Sequence, residues 1–167
     1  RASVQVLAAD LPHAVYEPIR QERSCPGCGA CIAVCPSCAI DAEGYHFERC
    51  ARAYQGKEAM PVWAMDCMES LLGCEKCQFV CPLNGEAGEE TSLPEPFDLQ
   101  RILSGQVKPL LELIGTNLNA GGRIIAQAIV LAVRQGREDL YPLVEKYAED
   151  KRPAIMSAYG YYRSYLE

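Results

Sequence analysis

Histidine is nearly missing from this chain of 167 residues, which has only His13 and His46. That scarcity removes the commonest general base and the commonest nitrogen ligand for a metal. With no carboxylate or second histidine at ligand spacing, each reads as a surface residue. Long apolar runs are missing too: a membrane helix needs roughly 20 consecutive apolar residues, and the nearest stretch, Ile124 to Val133, is interrupted by Gln127 and reads as a buried helix. There is no G-x-G-x-x-G turn, no Walker loop, and no serine or cysteine nucleophile with a base at hand, which removes dinucleotide, nucleotide-phosphate and triad chemistry. Basic residues are in deficit, 16 Lys and Arg against 22 Asp and Glu, for a net charge of −6. A phosphate backbone needs clustered cations, so the charge argues against nucleic acid. Acidic pairs such as Glu89-Glu90 and Glu149-Asp150 read as solvated linker and helix ends.

Cysteine is what the chain has in excess. All ten fall between Cys25 and Cys81, and none follows. Cys25, Cys28, Cys31 and Cys35-Pro36 spell C-x2-C-x2-C-x3-C-P; Cys74, Cys77 and Cys81-Pro82 repeat its second part. Cysteines two and three residues apart converge on a point instead of pairing across a fold, which argues against disulfides and for a reducing, cytoplasmic compartment. Zinc uses separated pairs of ligands, and a third cysteine three residues on has no role in a tetrahedral site. The run with its closing proline is that of two-cluster ferredoxins, where the last cysteine of each run ligates the other cluster. Cys25, Cys28, Cys31 and Cys81 then hold one 4Fe-4S cluster, and Cys35, Cys74 and Cys77 hold three corners of a second. A regular second run would carry the fourth ligand at position 71, where this chain has Leu71.

Cys38, Cys50 and Cys67 can fill that place. Ala39-Ile40-Asp41 and Tyr45-His46-Phe47 around Glu43-Gly44 read as a hairpin that returns Cys50 towards Cys35, which puts Cys50 first. Cys67 comes second, one helical turn before Leu71, and Cys38 third, too near Cys35 to reach round the same cube. The unused thiols, Cys38 above all, read as small buried hydrophobes. Gly27, Gly29 and Ala30 let the backbone approach the sulfides. Eight thiolates around two 2+ cores would take the net charge to about −10.

The expected fold class is α+β: a bacterial ferredoxin-like module with two 4Fe-4S clusters, followed by an all-helical HEAT-like segment. Residues 1–22 form an N-terminal strand or extended segment around Val4 and Val6, 23–84 the cluster domain with an insert at 51–73, 85–96 a linker, and 97–167 the helices. The insert contains Trp63 and a helix predicted over Met65 to Leu72. Leu99 to Leu103 and Leu110 to Ile114 read as one or two helices broken near Gly105 and Pro109, and Arg123 to Gln135 as an apolar helix stopped by Gly136. Leu140 to Ala148 keeps helical rhythm with Pro142 in the first turn. Pro153 opens a last helix whose face is Ile155, Met156, Tyr159, Tyr162 and Leu166. The late tyrosines, Tyr159, Tyr161, Tyr162 and Tyr165, read as helix core and rim.

The order Cys25-Pro-Gly-Cys28-Gly-Ala-Cys31, Cys35-Pro36, Arg49-Cys50, Gly73-Cys74-Glu-Lys-Cys77-Gln78-Phe-Val-Cys81-Pro82-Leu-Asn84 resembles the C-terminal half of the epoxyqueuosine reductases and their relatives, the corrinoid-dependent reductive dehalogenases. The resemblance implies an upstream domain holding a cobalamin, a two-cluster module delivering electrons to its cobalt, and a HEAT-like tail. It also implies that Arg49-Cys50 is the family's ligand element after the hairpin. The catalytic acid of that family would lie before Arg1, so no catalytic residue can be carried over onto this chain. The basic tract that the family places before its repeat helices for tRNA is replaced here by Gly115 to Gly122. The leading expectation is electron transfer through two clusters to a corrinoid or other redox centre on an upstream domain or partner, docked on the apolar, cysteine-lined face near Cys25 to Cys38. The alternatives are a fragment of a complete cobalamin-dependent reductase, and clusters that only support a helical interaction module.

Overall fold

Four short helices carry the cysteine half of the chain: α1 (Ala30–Val34), α2 (Arg52–Gln55), α3 (Val62–Asp66) and α4 (Lys76–Phe79). Each spans four or five residues, because prolines, glycines and closely spaced cysteines interrupt any longer period. The second half holds α5 (Leu99–Leu103), α6 (Lys108–Ile114), α7 (Arg123–Arg134), α8 (Tyr141–Val144) and α9 (Pro153–Leu166). This computed structural model describes residues 25–84 and 94–167. The strand expected around Val4 and Val6, and most of the 85–96 linker, lie outside the described residues.

α7 is the axis of the fold. Every residue from Ile124 to Val133 is buried, and α5, α9 and the turn at Thr116–Gly122 pack against it. A helix apolar on nearly all sides is stable only when enclosed. Full burial of Ile124, Ile129 and Leu131 contributes about 2 kcal/mol each. Asp98 caps α5 by accepting the Arg101 amide at 3.0 Å, satisfying one of the donors a helix start leaves unpaired.

The entry to α7 depends on Gly122, which has φ 78° and sits under α9. A Cβ there would lie 2.8 Å from Ile155 Cδ1 and 2.9 Å from Arg152 Nη1. Gly122→Ala is expected to destabilise the protein by about 1–2 kcal/mol, chiefly through the left-handed backbone, read as a lower urea midpoint with an unchanged slope.

The insert and the helical segment share one core. Ala51, Met60, Ala64, Met65 and Met68 belong to the same buried cluster as Leu103, Leu110, Ile129, Ile155 and Tyr162. α9 is also stitched to the insert by polar contacts, Ser157 Oγ donating to Met60 O at 3.2 Å and Tyr161 OH to Asp66 Oδ1 at 2.9 Å.

Several sequence expectations change. The described residues contain no strand, and the hairpin is a single antiparallel bridge between Ile40 and Tyr45, so the strand part of the α+β class is not realised in them. The chain leaves the bridge directly for the Phe47–Arg49 turn that delivers Cys50. The helix predicted over Met65–Leu72 lies earlier, at Val62–Asp66, started at Pro61 and ended by Cys67; Leu72 has φ 66° and cannot continue it. α8 is one turn flanked by 3-10 turns. The buried face of α9 is Ala154, Ile155, Ala158 and Tyr162, while Met156 and Leu166 are exposed. The alanines allow α9 to approach α7 closely, which a bare hydrophobicity pattern does not reveal.

Candidate metal centre

The first cysteine run is shaped by glycine. Gly27 and Gly29 have φ of 69° and 71°, a region where a side chain would be strained. The resulting turn aims the Gly27 amide at Cys25 Sγ, 3.4 Å away. Gly29 then opens α1, its carbonyl accepting from the Ile32 and Ala33 amides at 3.0 and 3.1 Å. Cys31 lies on α1 and Cys35 closes it. α4 carries Cys77, with Cys74 just before it and Cys81 just after. Because α1 packs on α4, the two runs lie side by side.

Between them lies a small cavity lined by Cys35, Cys50, Cys74 and Cys77 together with Ala39, Ile40, Tyr45, Ala51 and Lys76. Those four thiols are the second set grouped from the sequence, Cys50 included. Cys25, Cys28, Cys31 and Cys81 lie outside it; Cys25 and Cys28 are exposed, and Cys31 and Cys81 are half-buried. Cys67 does not line the cavity and packs against the hydrophobic core. Cys38, expected as a small buried hydrophobe, is instead exposed, with φ 50°. The tight turn after Pro36 leaves its side chain no core to enter.

All ten cysteines are free. Among the described residues the ligand atoms of Asp41, Glu43 and His46 lie within 4.8 Å of one another, and no three cysteine sulfurs do. Four thiolates about 2.3 Å from one zinc stand about 3.8 Å apart, so the wider cysteine spacing suits a larger guest. Donors already face the sulfur: the Ala39 amide is 3.2 Å from Cys35 Sγ and the Ser37 hydroxyl 3.8 Å. Burial pushes the Cys35 thiol up, but the amides of Ala39 and Ser37 and the Ser37 hydroxyl bring it below its ordinary value. Cys77 and Cys67 are pushed up, first by burial. Four convergent thiols, amide donors and apolar walls fit an iron–sulfur cube.

The hairpin is braced from outside the cavity. Asp41 Oδ1 accepts the Glu43 and Gly44 amides at 2.9 and 3.1 Å, while Oδ2 meets His46 Nε2 at 2.8 Å and Arg49 Nη1 at 3.3 Å. His46 therefore does have a carboxylate partner, contrary to the sequence reading, and is half-buried. The His46 imidazole close beside it, and then the Glu43 amide it accepts, hold the Asp41 carboxyl below the usual range.

Two features near the site were missed from sequence. Tyr45, read only as a strand residue, turns onto the cavity beside Cys50; the neighbouring Cys50 thiol and then burial push its pKa up to about 12. Gln127, read as a flaw in an apolar run, is 3% exposed. It accepts the Leu72 amide at 2.8 Å and donates to Gln55 O at 3.0 Å. Arg52 Nη1 donates to Leu72 O at 2.7 Å. These bonds fix the approach to Cys74.

No family model matches the chain. Epoxyqueuosine reductases do, as the cysteine order suggested. The enzyme from Vibrio cholerae is 38% identical over 82 residues, 47% of this chain and 22% of its own length. That from Francisella cf. novicida is 34% identical over 109 residues, 63% and 29% of the two lengths. The chain thus spans between a fifth and a third of the length of these curated relatives. A structure of epoxyqueuosine reductase from Bacillus subtilis superposes with a TM-score of 0.69 at 22% identity, covering 90% of this chain and 44% of that one. An epoxyqueuosine reductase crystallised with an epoxyqueuosine-modified tRNA-Tyr stem loop gives 0.64 at 21%, covering 86% and 42%. At these identities the superpositions show the fold.

Proposed function

We propose that this chain is the electron-delivering part of a larger oxidoreductase similar to epoxyqueuosine reductase. In this reading Cys25, Cys28, Cys31 and Cys81 hold one 4Fe-4S cluster, and Cys35, Cys50, Cys74 and Cys77 a second. The observation that carries it is the convergence of the latter four thiols, from three separate stretches of chain, on one cavity. Clusters with four thiolate ligands offer no open position to a substrate and supply single-electron transfer. The protein's part is to hold the thiolates, aim the Gly27 and Ala39 amides at sulfur, and keep water from the second site with Ala39, Ile40 and Ala51. Such hydrogen bonds and burial set the potential.

The electron acceptor would be a corrinoid or other redox centre on an upstream domain or partner, and no residue described here is assigned to it. Exposed Ile32, Val80 and Leu83, on and just after the paired helices, supply an apolar face for that partner. The likeness to reductases brings tRNA in as a candidate substrate of the full-length protein, although the charge of this chain argued against nucleic acid. A reducing cytoplasm suits free, clustered thiols; no helix among the described residues is long and apolar enough to cross a membrane.

The test is anaerobic reconstitution with iron and sulfide counting and electron paramagnetic resonance. About eight of each per chain, with spin coupling between two reduced cubes, is expected for this ligand set. A count near four, or a colourless protein, would refute it.

A further inference from the structure

One turn of chain folds two donors onto the sulfur of Cys35. The Cys38 amide bonds Cys35 O at 3.3 Å, which closes a turn with Pro36 and Ser37 at its centre. Proline in the first central place presets the φ that such a turn needs. The chain then carries the Ala39 amide to 3.2 Å from Cys35 Sγ and the Ser37 hydroxyl to 3.8 Å, and Ser37 itself lines the cavity. Serine in a turn ordinarily bonds its own backbone. Among the described residues, the hydroxyl of Ser37 bonds only the sulfur. A thiolate has no proton to give, so with Cys35 as a ligand the hydroxyl is the donor.

We propose that Ser37 is a positioning residue whose hydroxyl donates a hydrogen bond to the Cys35 thiolate and thereby raises the reduction potential of the cluster held by Cys35, Cys50, Cys74 and Cys77. The proposal rests on the ligand set of the preceding section. Its physical basis is charge. Reduction adds one electron to a cluster that already carries four thiolates, and the hydroxyl keeps its proton. A donor aimed at a sulfur draws charge away and stabilises the reduced form more than the oxidised one. The Ala39 amide acts in the same sense, but a backbone donor survives substitution of its side chain. The Ser37 hydroxyl can be removed cleanly, because its backbone has no positive φ and alanine fits it. In sequence Ser37 follows the run that holds Cys25, Cys28 and Cys31. Interleaved ligation nevertheless gives Cys35 to the other cluster, so the effect falls on the cavity cluster and spares the one nearer in sequence.

The experiment is a potentiometric titration, followed by electron paramagnetic resonance, of the reconstituted full chain and its Ser37→Ala and Ser37→Thr variants. The oxygen–sulfur distance of 3.8 Å is long for a hydrogen bond, which places the effect at the low end of the usual range. The reduction equilibrium of one cluster should therefore fall about threefold in Ser37→Ala, about 28 mV lower at 59 mV per tenfold for one electron. The other wave should stay in place and the iron count should remain about eight. Ser37→Thr, which keeps a hydroxyl on the same carbon, should hold both waves where the unsubstituted chain has them. A parallel Cys50→Ser variant identifies which wave belongs to the cavity. Two unmoved waves in Ser37→Ala, a shift only in the wave that survives Cys50→Ser, an equal shift in Ser37→Thr, or loss of iron from Ser37→Ala would overturn the proposal. Failure of the unsubstituted chain to bind two clusters would overturn the ligand set itself, a separate outcome.

Discussion

Cys50→Ser is expected to halve the cluster content, from about eight to about four irons per chain, with the loss of one paramagnetic signal, while Cys67→Ala keeps both. Cys50 lines the cavity with Cys35, Cys74 and Cys77, whereas Cys67 packs into the apolar core. Misfolding would not explain the loss, because Cys50 sits in ordinary extended backbone, φ −79° and ψ 118°, which serine adopts freely. Alanine is the better replacement at Cys67, since a serine hydroxyl facing the core would add its own desolvation cost. Some stability should be lost there through a smaller side chain, but iron should not. Loss of a cluster on the Cys67 change alone would reverse the assignment.

The second large effect is expected at Gln127. Gln127→Leu keeps the volume and apolar fit of α7 but leaves the Leu72 amide and the Gln55 carbonyl without the partners that bond them now. Each unsatisfied buried group costs about 1–3 kcal/mol, so the variant should lose about 3 kcal/mol in chemical denaturation. The damage should also reach the metal site. Leu72 carries the bonds from Gln127 and Arg52 two residues before Cys74, and Gly73 is packed so tightly that a Cβ would meet Arg52 Nη1. Iron should therefore leave the variant faster on treatment with a chelator, with the cavity cluster lost first. Unchanged stability and unchanged chelation rates would show that the bridge between α7 and the cysteine loop is dispensable.

Different kinds of signal explain which parts were legible beforehand. The cysteine spacing is local: two or three residues between thiols restrict them to one turn of chain, so the two runs could be read directly. Ile124 to Val133 was equally legible, because an apolar stretch of that length must be enclosed. The hairpin was half legible: Glu43-Gly44 marked the turn, but nothing in the sequence showed that pairing would stop after one bridge. Asp41 and His46, five residues apart, meet only because that turn closes, and the orientation of Tyr45 follows from the same closure. The face of α9 was misread because Ala154 and Ala158 carry little hydrophobicity and matter through how closely they let a neighbour approach.

Sequence alone carried the chemistry proposed for the site, since thiolates crowded into short turns next to proline suit a metal–sulfur cluster better than a disulfide or a single ion. It also determined the buried axis of the helical segment. Only the tertiary structure decided that Cys50, already placed first from the sequence, lines one cavity with Cys35, Cys74 and Cys77 while Cys67 packs into the core, and that Gln127 ties α7 to their loop. Those outcomes depend on contacts between residues far apart in the chain, such as Leu72 with Gln127. The free energy of such contacts is gained only once the core around α7 has closed.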